Sequence, residues 1–420
     1  MPRNLSKTTN KATRTPRKRT TSNARPQPNA PRLEGRARAD HARAAAEAIS
    51  SPTQPKTTRT SDPVFIGHVA PGLEKLATRE LTREFEDAQV LETLRRFDDR
   101  TSLILFSWRG DPQLLLDLTL YEDIFVLIAD RAGVAPRRAV LRMLEGVVAG
   151  TGLDAAERIA NPILPGNRRK PTYRVIARQA GEHYFRRTEL RSTIEKAVAS
   201  RHADWALTED GRYEIWAQLV EDRLVVGLRL SDITMRQRDY KTINLPASLK
   251  PTVARAMVIL SRPEDDDIFL DPMCGAGTIL FERALAGRFA KLEGGDIDHM
   301  AVQAAQENFG SRHRPWEIRE WDARDLPFAD GEISAIASNL PFGKQIGSHE
   351  SNQSLYPKLL AEWIRVLKPG GRMVLLTSEK ALMRATLKRY PQLVWEQTVP
   401  VTVRGMSAEI FVLIRGGDTL

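Results

Sequence analysis

The segment S-N-L-P-F-G, residues 338–343, contains residue types that could activate an amino group on a nucleobase. Such an amine is a poor nucleophile because its lone pair is delocalised into the ring. The side-chain oxygen of Asn339 and the backbone carbonyl of Leu340 could accept its protons and aim the lone pair at an electrophilic methyl group. Pro341 would stiffen the turn, and Phe342 could stack on an extruded base. Asn, Pro and Gly also favour ordinary turns, so the segment alone leaves a plain strand–turn open.

Three acidic residues each lie at the end of a predicted strand in the same half of the chain. Asp296 could accept hydrogen bonds from the hydroxyls of a ribose. Asp322 could accept one from the amino group of adenine, and Asp271 ends the strand before both. Singly, each could be a turn or capping residue. Together, acids at the ends of three successive strands predict a cofactor that contains adenosine.

The segment D-P-M-C-G-A-G-T, residues 271–278, follows the first of these strands directly. Glycines after a strand let a ligand approach the backbone closely, and the start of the next helix offers free N–H groups. A dinucleotide-binding loop would have a third glycine where Leu280 stands, and a triphosphate-binding loop would need Lys followed by Ser or Thr. Neither is present. An ordinary strand–helix turn remains open for the glycines alone.

Residues 249–416 alternate strands and helices, which predicts elements able to bring these residues together. The predicted strands are 268–273, 291–297, 316–321, 333–338, 372–377, 394–403 and 408–414, and the main predicted helices are 277–288, 299–308, 355–367 and 380–389. This order predicts a mostly parallel, doubly wound sheet of seven strands, with the last two strands forming an antiparallel pair. Such sheets bind ligands at the carboxyl ends of their strands.

Two smaller α/β units are predicted upstream. The first contains a helix over 72–86, strands at Thr101–Trp108 and Ile124–Ala129, and a helix near Gln113–Leu118. The second contains a strand at Tyr173–Ala177, a helix at Glu189–Val198 and a hairpin of Tyr213–Leu219 with Arg223–Leu230. We therefore expect four segments, 1–60, 61–150, 151–235 and 236–420.

The net charge of +10 is concentrated in residues 1–60, which hold 14 Lys and Arg against three acids. The remaining chain is nearly neutral, so evidence for a nucleic-acid partner must come from motifs or local patches. Large apolar residues are almost absent from this tail, which predicts disorder. Three roles stay open for it: an arm that tethers RNA, a solvated extension, or an organellar transit peptide, against which four prolines argue.

The single cysteine, Cys274, excludes an internal disulfide and a thiol-only zinc site. The seven histidines lack metal-ligand spacing, and no stretch approaches the ~20 apolar residues of a membrane span. We expect a monomeric protein of the cytoplasm that binds no metal and no membrane.

The segments D-P-M-C-G-A-G-T, G-G-D-I-D, W-D-A and N-L-P-F-G together resemble the amino-methylating class of Rossmann-like S-adenosylmethionine-dependent methyltransferases. More narrowly, the chain resembles the THUMP-domain RNA guanine-N2 methyltransferases, and L-P-A-S-L-K-P-T at 245–252 and Leu355-Tyr356 extend the match. P-G-L-E-K-L-A at 71–77 resembles the N-terminal ferredoxin-like domain of that family. Tyr173–Leu230 resembles the THUMP fold of that family, which binds the acceptor end of tRNA.

The resemblance implies roles for individual residues. Asp271, Gly275 and Gly277 would line the methionine end of S-adenosylmethionine, while Asp296 would bind its ribose and Asp322 its adenine. The further cofactor-binding positions that it implies are Pro272, Cys274, Thr278, Ile297, Ala323 and Asn339. The catalytic pocket for the target base would be formed by Asn339, Leu340, Pro341 and Phe342. The broader class has proline where Leu340 stands, and the N-L-P-F-G form resembles the tRNA branch rather than the rRNA branch.

We therefore expect an enzyme that forms N2-methylguanosine in RNA, most of all in tRNA near the acceptor stem, with S-adenosylmethionine as cofactor. An rRNA guanine-N2 methyltransferase stays open as an alternative. So does an adenine-N6 or protein-glutamine methyltransferase, although the THUMP-like segment argues against both. A catalytically silent RNA-binding scaffold would be expected to have lost Asn339 or the glycines, and both are present.

Overall fold

A computed structural model describes residues 62–166, 170–245, 248–343 and 348–417 of the chain. The tail at 1–60, for which the sequence predicts disorder, lies outside the described residues. Among the described residues, no helix is both long and apolar enough to cross a membrane.

The N-terminal half is built on a mixed sheet of eight strands. They are β1 (Val64–Val69), β2 (Gln89–Leu94), β3 (Ser102–Ser107), β4 (Tyr121–Arg131), β5 (Thr172–Ala180), β6 (Ala206–Leu207), β7 (Tyr213–Val220) and β8 (Arg223–Arg229). Their order is β2-β3-β1-β4-β8-β7-β5-β6, and only β5 pairs in parallel, with β7 and β6. Because β4 pairs with β8, strands from both predicted N-terminal units share this one sheet.

Helices α1 to α4 accompany this sheet. They span α1 (Glu74–Glu84), α2 (Val140–Val148), α3 (Gly152–Ala160) and α4 (Arg187–Arg201). The helix predicted near Gln113–Leu118 is instead a 3-10 helix over Pro112–Asp117, in which the side chain of Asp111 accepts a hydrogen bond from the amide of Gln113. A six-residue segment that opens with proline is too short for a stable α-helix, which explains the difference.

The C-terminal half contains the predicted seven-stranded sheet. Its strands are β9 (Ile268–Asp271), β10 (Lys291–Asp296), β11 (Trp316–Glu320), β12 (Ile333–Asn339), β13 (Leu367–Thr377), β14 (Leu393–Val403) and β15 (Met406–Arg415). The order is β11-β10-β9-β12-β13-β15-β14, and only β15 runs antiparallel to its neighbours. The prediction of a mostly parallel sheet with an antiparallel last strand is confirmed.

Six helices of this half lie between or before its strands among the described residues. They are α5 (Thr234–Gln237), α6 (Pro251–Ser261), α7 (Thr278–Ala284), α8 (His299–Phe309), α9 (His349–Val366) and α10 (Lys380–Leu387). Helix α9 begins six residues before the predicted start, because Ser348 caps it by accepting from the amide of Ser351. Strand β13 begins at Leu367 rather than 372. It continues directly from α9 and includes Gly370 and Gly371.

The two sheets are joined by one continuous apolar core. At their junction the amide of Thr402 donates to the carbonyl of Pro71, at 2.9 Å. A Cβ atom on Gly72 would lie 1.8 Å from the carbonyl oxygen of Pro400, so the turn before α1 lies directly against β14. The N-terminal half therefore packs at the carboxyl end of β14.

A polar cluster lies at the same junction and comprises Thr119, Arg238, Tyr240, Arg255 and Glu282; we call it the Glu282 cluster. The buried carboxylate of Glu282 accepts from the hydroxyl of Tyr240 at 2.7 Å and from the guanidinium of Arg238 at 3.4 Å. Arg238 also donates to the carbonyl of Thr119 at 2.7 Å, and Arg255 donates to the Thr119 hydroxyl at 3.2 Å. Burial raises the pKa of Glu282 above its usual value. The cluster thus connects Glu282 on α7 to Thr119, which lies two residues before the start of β4.

Candidate active site

The carboxyl ends of β9, β10 and β12 are neighbours in the sheet, since β9 pairs with both of the others in parallel. Asp271, Asp296 and Asn339 are the last residues of these three strands. The fold therefore places at one edge the residues whose types suggested cofactor binding and amine activation. This is the position at which open α/β sheets bind ligands.

Asp271 is buried at the end of β9. Its carboxylate accepts a hydrogen bond from the Ser338 hydroxyl at 2.9 Å and another from the amide of Met273 at 3.3 Å. Burial raises the pKa of Asp271 to about 7, and the nearby charge of Asp296 adds to the effect. Ser338 carries no sequence signal of its own, because only the pairing of β9 with β12 brings it to Asp271.

The glycine-rich turn is tied to the next strand by Asp296. One carboxylate oxygen of Asp296 accepts from the amide of Gly275 at 2.9 Å, and the other accepts from the amide of Asp298 at 3.1 Å. Gly275 and Gly277 have φ angles of +52° and +78°, a region that favours glycine. Helix α7 begins at Thr278, directly after Gly277. The turn and Asp296 therefore form one hydrogen-bonded unit.

Cys274 lies within this turn, and its amide donates to the carbonyl of Gly295 at 2.8 Å. The thiol is buried, and burial raises its pKa well above the usual value. A thiol in that state is a poor nucleophile. The cofactor-binding position of Cys274 stays a prediction.

Trp321 fixes the other side of the turn. Its indole N–H donates to the carbonyl of Pro272 at 3.0 Å. A Cβ atom on Gly295 would lie 2.1 Å from the Trp321 ring, so the ring lies flat against the end of β10. The sequence offered Trp321 only as part of W-D-A, with no role of its own.

Ile297 and Ala323 differ in exposure. The side chain of Ile297, directly after Asp296, is 67% exposed, which is unusual for a large aliphatic residue beside a buried strand. Ala323 is buried, and its carbonyl accepts from the indole of Trp363 at 2.9 Å. An exposed apolar side chain next to a carboxylate suits the adenosine part of a cofactor.

Asp322 makes contacts that the sequence did not predict. Its carboxylate accepts from the guanidinium of Arg324, at 2.8 Å and 3.0 Å to Nε, and from the Arg324 amide at 2.9 Å. Hydrogen bonding to Arg324 holds the pKa of Asp322 below its usual value. An adenine amino group would have to share this carboxylate with Arg324, and the adenine role of Asp322 stays a prediction.

Asn339 is the most informative residue of the site. Its side-chain Oδ1 atom is buried and accepts no hydrogen bond from any described residue. The next residue, Leu340, is held by its amide, which donates to the carbonyl of Leu376 on β13 at 2.9 Å. A buried acceptor without a donor is unfavourable by about 1–3 kcal/mol, so the site is suited to a ligand that brings an N–H group.

The carbonyl of Pro341 accepts two hydrogen bonds from α9. The hydroxyl of Tyr356 donates at 2.7 Å and the side-chain amide of Asn352 donates at 3.0 Å. The Tyr356 hydroxyl is also 2.8 Å from the hydroxyl of Thr377 on β13. In the sequence, Tyr356 stands out only as part of the family resemblance, and Asn352 and Thr377 carry no signal.

Phe342 is partly buried and packs against the main apolar core. Gly343 follows with φ of +68°, and a Cβ atom there would lie 2.7 Å from the carboxylate of Glu379. That carboxylate is 2.8 Å from Nδ1 of His349 at the start of α9. The segment after Asn339 is therefore closely packed on both sides.

The residues present fit S-adenosylmethionine. A Cβ atom on Gly275 would have no neighbour within 4 Å, so a ligand can approach the turn there. The carboxylates of Asp271 and Asp296 suit a cationic amino group and ribose hydroxyls respectively. No group of three potential metal ligands occurs among the described residues.

Comparison with known proteins gives three findings. Residues 238–406 match the family model described as "RMKL-like, methyltransferase domain". The chain is 32% identical over 260 residues to tRNA (guanine(6)-N(2))-methyltransferase THUMP3 of Bos taurus, covering 58% of this chain and 51% of that protein. It is 28% identical over 349 residues to tRNA (guanine(6)-N2)-methyltransferase of Thermus thermophilus, covering 82% of this chain and 97% of that protein.

The structure of TrmN from Thermus thermophilus is similar to this one, with a TM-score of 0.66 and 25% sequence identity. The match covers 84% of this chain and 99% of that chain. The predicted Rossmann-like fold class is confirmed, while the bounds 236–420 stay a prediction. The chain spans about half the length of the mammalian relative and nearly all of the bacterial one.

Proposed function

We propose that this chain, whose residues 238–406 are an RMKL-like methyltransferase domain and which is a relative of the THUMP-containing guanine-N2 methyltransferases, forms N2-methylguanosine in RNA. The leading substrate is tRNA, because the relatives that match this chain over the longest stretches, 260 and 349 residues, bear that name. Guanine 6, which both names print, is the position to examine first.

The buried and unpartnered Oδ1 atom of Asn339 carries this proposal. The exocyclic amine of guanine bears two protons, and the segment offers two acceptors, Asn339 Oδ1 and the Leu340 carbonyl. If these two oxygens accept hydrogen bonds from the two N–H groups, they would keep the nitrogen pyramidal and direct its lone pair away from the ring. Phe342 lies three residues after Asn339 and is only partly buried, so a base could rest on its ring.

Bound S-adenosylmethionine would supply an electrophilic methyl group on a sulfonium. Asp296 would accept from its ribose hydroxyls, Asp271 would pair with its amino group, and Ile297 would cover its adenosine. Asn339 and Leu340 would hold the amine in line with that methyl group, so the rate comes from positioning. The cytoplasmic location, the monomeric state and the absence of a metal stay predictions.

Replacing Asn339 with alanine tests the proposal. We expect Asn339→Ala to lower the single-turnover rate of methyl transfer to tRNA by about a hundredfold or more, as loss of a transition-state acceptor does elsewhere. Affinities for cofactor and RNA should stay close to those of the wild type, because the contact acts mainly as the amine becomes pyramidal. Asn339→Asp, which keeps an acceptor oxygen, should retain partial activity.

The product should be identified by mass spectrometry of nucleosides from the treated tRNA. A near-normal rate for Asn339→Ala would contradict the role of its side chain. N6-methyladenosine as the product would instead support the adenine-N6 alternative, and modification of rRNA in place of tRNA would support the rRNA alternative. Methylation of a protein glutamine would support the remaining enzyme class.

A further inference from the structure

Two buried side chains donate to the carbonyl of Pro341, which follows the proposed amine acceptors, and a third buried side chain contacts one of those donors. They are Asn352 and Tyr356 on α9 and Thr377 on β13; we call them the Pro341 latch. The Tyr356 hydroxyl is 2.7 Å from the Pro341 carbonyl and 2.8 Å from the Thr377 hydroxyl.

The proton directions within the latch follow from chemistry. The Pro341 carbonyl can only accept, so Tyr356 must donate its one proton there. Thr377 must then donate to the Tyr356 oxygen, while the Thr377 oxygen accepts from the amide of Glu379 at 2.9 Å. The result is a single directed chain of hydrogen bonds that ends on the Pro341 carbonyl, and such chains strengthen cooperatively.

Holding this carbonyl restricts the one before it. The ring of Pro341 sets its φ near −65°, so only rotation about ψ remains between the two successive peptide planes. Two donors hold the Pro341 carbonyl at one end of this segment, and rotation about ψ is restricted because the other end is held as well. On its other side, Leu340 is held by the bond from its amide to Leu376. The Leu340 carbonyl is thus constrained from both directions.

We propose that Tyr356 is a positioning residue for methyl transfer, which acts through the Pro341 carbonyl to aim the Leu340 carbonyl at the target amine. The inference rests on the proposed function and extends it. Tyr356 does not act as a base, because its proton is committed to Pro341. Burial raises the pKa of Tyr356, which keeps the hydroxyl protonated.

The test is Tyr356→Phe, which removes the hydroxyl and keeps the buried ring. We expect the single-turnover rate on tRNA to fall about tenfold, which corresponds to about 1.4 kcal/mol. Affinity for S-adenosylmethionine by calorimetry and affinity for tRNA should be unchanged. Thr377→Val, which removes the middle donor at nearly constant volume, should lower the rate in the same direction.

Tyr390→Phe is the matched control. The Tyr390 hydroxyl also donates to a backbone carbonyl of α9, that of Pro357, at 2.6 Å, but has no connection to the Pro341 turn. This variant should keep the wild-type rate. Equal slowing by both tyrosine variants, or weakened cofactor binding that accounts for the lost rate, would show a merely structural role and overturn the inference.

A wild-type rate for both Tyr356→Phe and Thr377→Val would also overturn it, while leaving the proposed function intact. If the wild-type protein makes no N2-methylguanosine, the proposed function fails and the inference fails with it. Measuring the wild-type product first separates these two cases.

Discussion

Asp296 is the expected partner of the cofactor ribose, and its carboxylate also accepts a hydrogen bond from the amide of Gly275 in the glycine-rich turn. We expect Asp296→Ala to weaken S-adenosylmethionine binding by about 1–3 kcal/mol, since ribose hydroxyls would lose their acceptor. Calorimetric titration with the cofactor measures this. RNA affinity should barely change, and cofactor affinity equal to that of the wild type would contradict the placement of the ribose at Asp296.

Asp271 leads to a prediction on pH. Its folded-state pKa is raised to about 7, whereas the unfolded value is near 3.8, so the folded protein binds the proton more tightly. The associated stability is fully present below pH 3.8 and is lost as the pH rises through about 7. Asp271→Asn should therefore be more stable than the wild type at pH 8, with the difference shrinking towards pH 4. Thermal melting across this range measures it.

The same variant should bind S-adenosylmethionine more weakly, because asparagine cannot pair with the cationic amino group. Stability at pH 8 and cofactor affinity should thus change in opposite directions. A variant that lost both together would indicate that Asp271 serves only to hold the Ser338 end of β12.

Residue types at strand ends were enough to predict that Asn339, Asp271 and Asp296 lie at one edge of the sheet, because each ends a parallel strand. Their roles stay predictions. Ser338, Tyr356 and Trp321 could not be assigned roles, since each depends on a contact with a residue far along the chain. Asp322 differs from these residues, because its partner is close in the chain. Its position after a strand was predicted, but its bond to Arg324, two residues later, was not, because the strand pattern does not specify side-chain contacts within a turn.

At the scale of elements, the junction between the glycine-rich turn and α7 is sensitive to a single methyl group. Gly277 has φ of +78°, and a Cβ atom there would lie 3.3 Å from the Cβ of Ala305 on α8. We expect Gly277→Ala to lower the free energy of unfolding by about 1–2 kcal/mol, the cost of a left-handed conformation with a side chain. Urea denaturation measures the change.

Gly146 provides the control for this substitution. It lies inside α2, and a Cβ atom there would meet nothing within 4 Å. Gly146→Ala should stabilise the protein by about 0.5–1 kcal/mol, as alanine does in a helix interior. A loss of stability at both positions would refute the argument from backbone conformation.

Elements with clear periodicity were predicted well, and their ends were not. The seven predicted C-terminal strands all occur and form one mostly parallel sheet, since alternating strands and helices have few other ways to pack. Helices α2 and α3 are exceptions: they were not predicted, although their buried residues recur at helical spacing. Helix α9 begins earlier than predicted. Its first turns are polar and show no apolar stripe, but the cap at Ser348 stabilises a helix there.

At the scale of the whole molecule, charge separates the tail from the rest of the chain. Residues 1–60 hold all of the excess positive charge. We expect deletion of 1–60 to leave an active enzyme whose RNA affinity is weaker and less dependent on salt, since phosphate contacts set that slope. The slope of log affinity against log salt concentration measures it.

A full-length variant with glutamine in place of the tail's Lys and Arg is the control for chain length. It should behave like the truncated protein. An unchanged slope in either variant would exclude the tethering role, and failure of the truncated protein to fold would contradict the predicted disorder.

The chain was predicted to contain two separate N-terminal units, yet β4 and β8 join their strands in one sheet. Local pattern cannot reveal that pairing, because its partners lie about a hundred residues apart and either strand could have stood at an edge. The division at 61–150 and 151–235 therefore stays a prediction about folding units.

The Glu282 cluster determines how the halves of this protein can change during evolution or in engineering. Arg238 and Arg255 reach from the methyltransferase side to Thr119, and Glu282 balances their charge in a buried position. Arg238 reaches a backbone carbonyl, which any residue at position 119 would offer, whereas Arg255 reaches a hydroxyl. A half transplanted from a relative without that hydroxyl would leave Arg255 without its contact in the other half, so we expect recombination between these halves to preserve stability best where Thr119 and Arg255 are exchanged together.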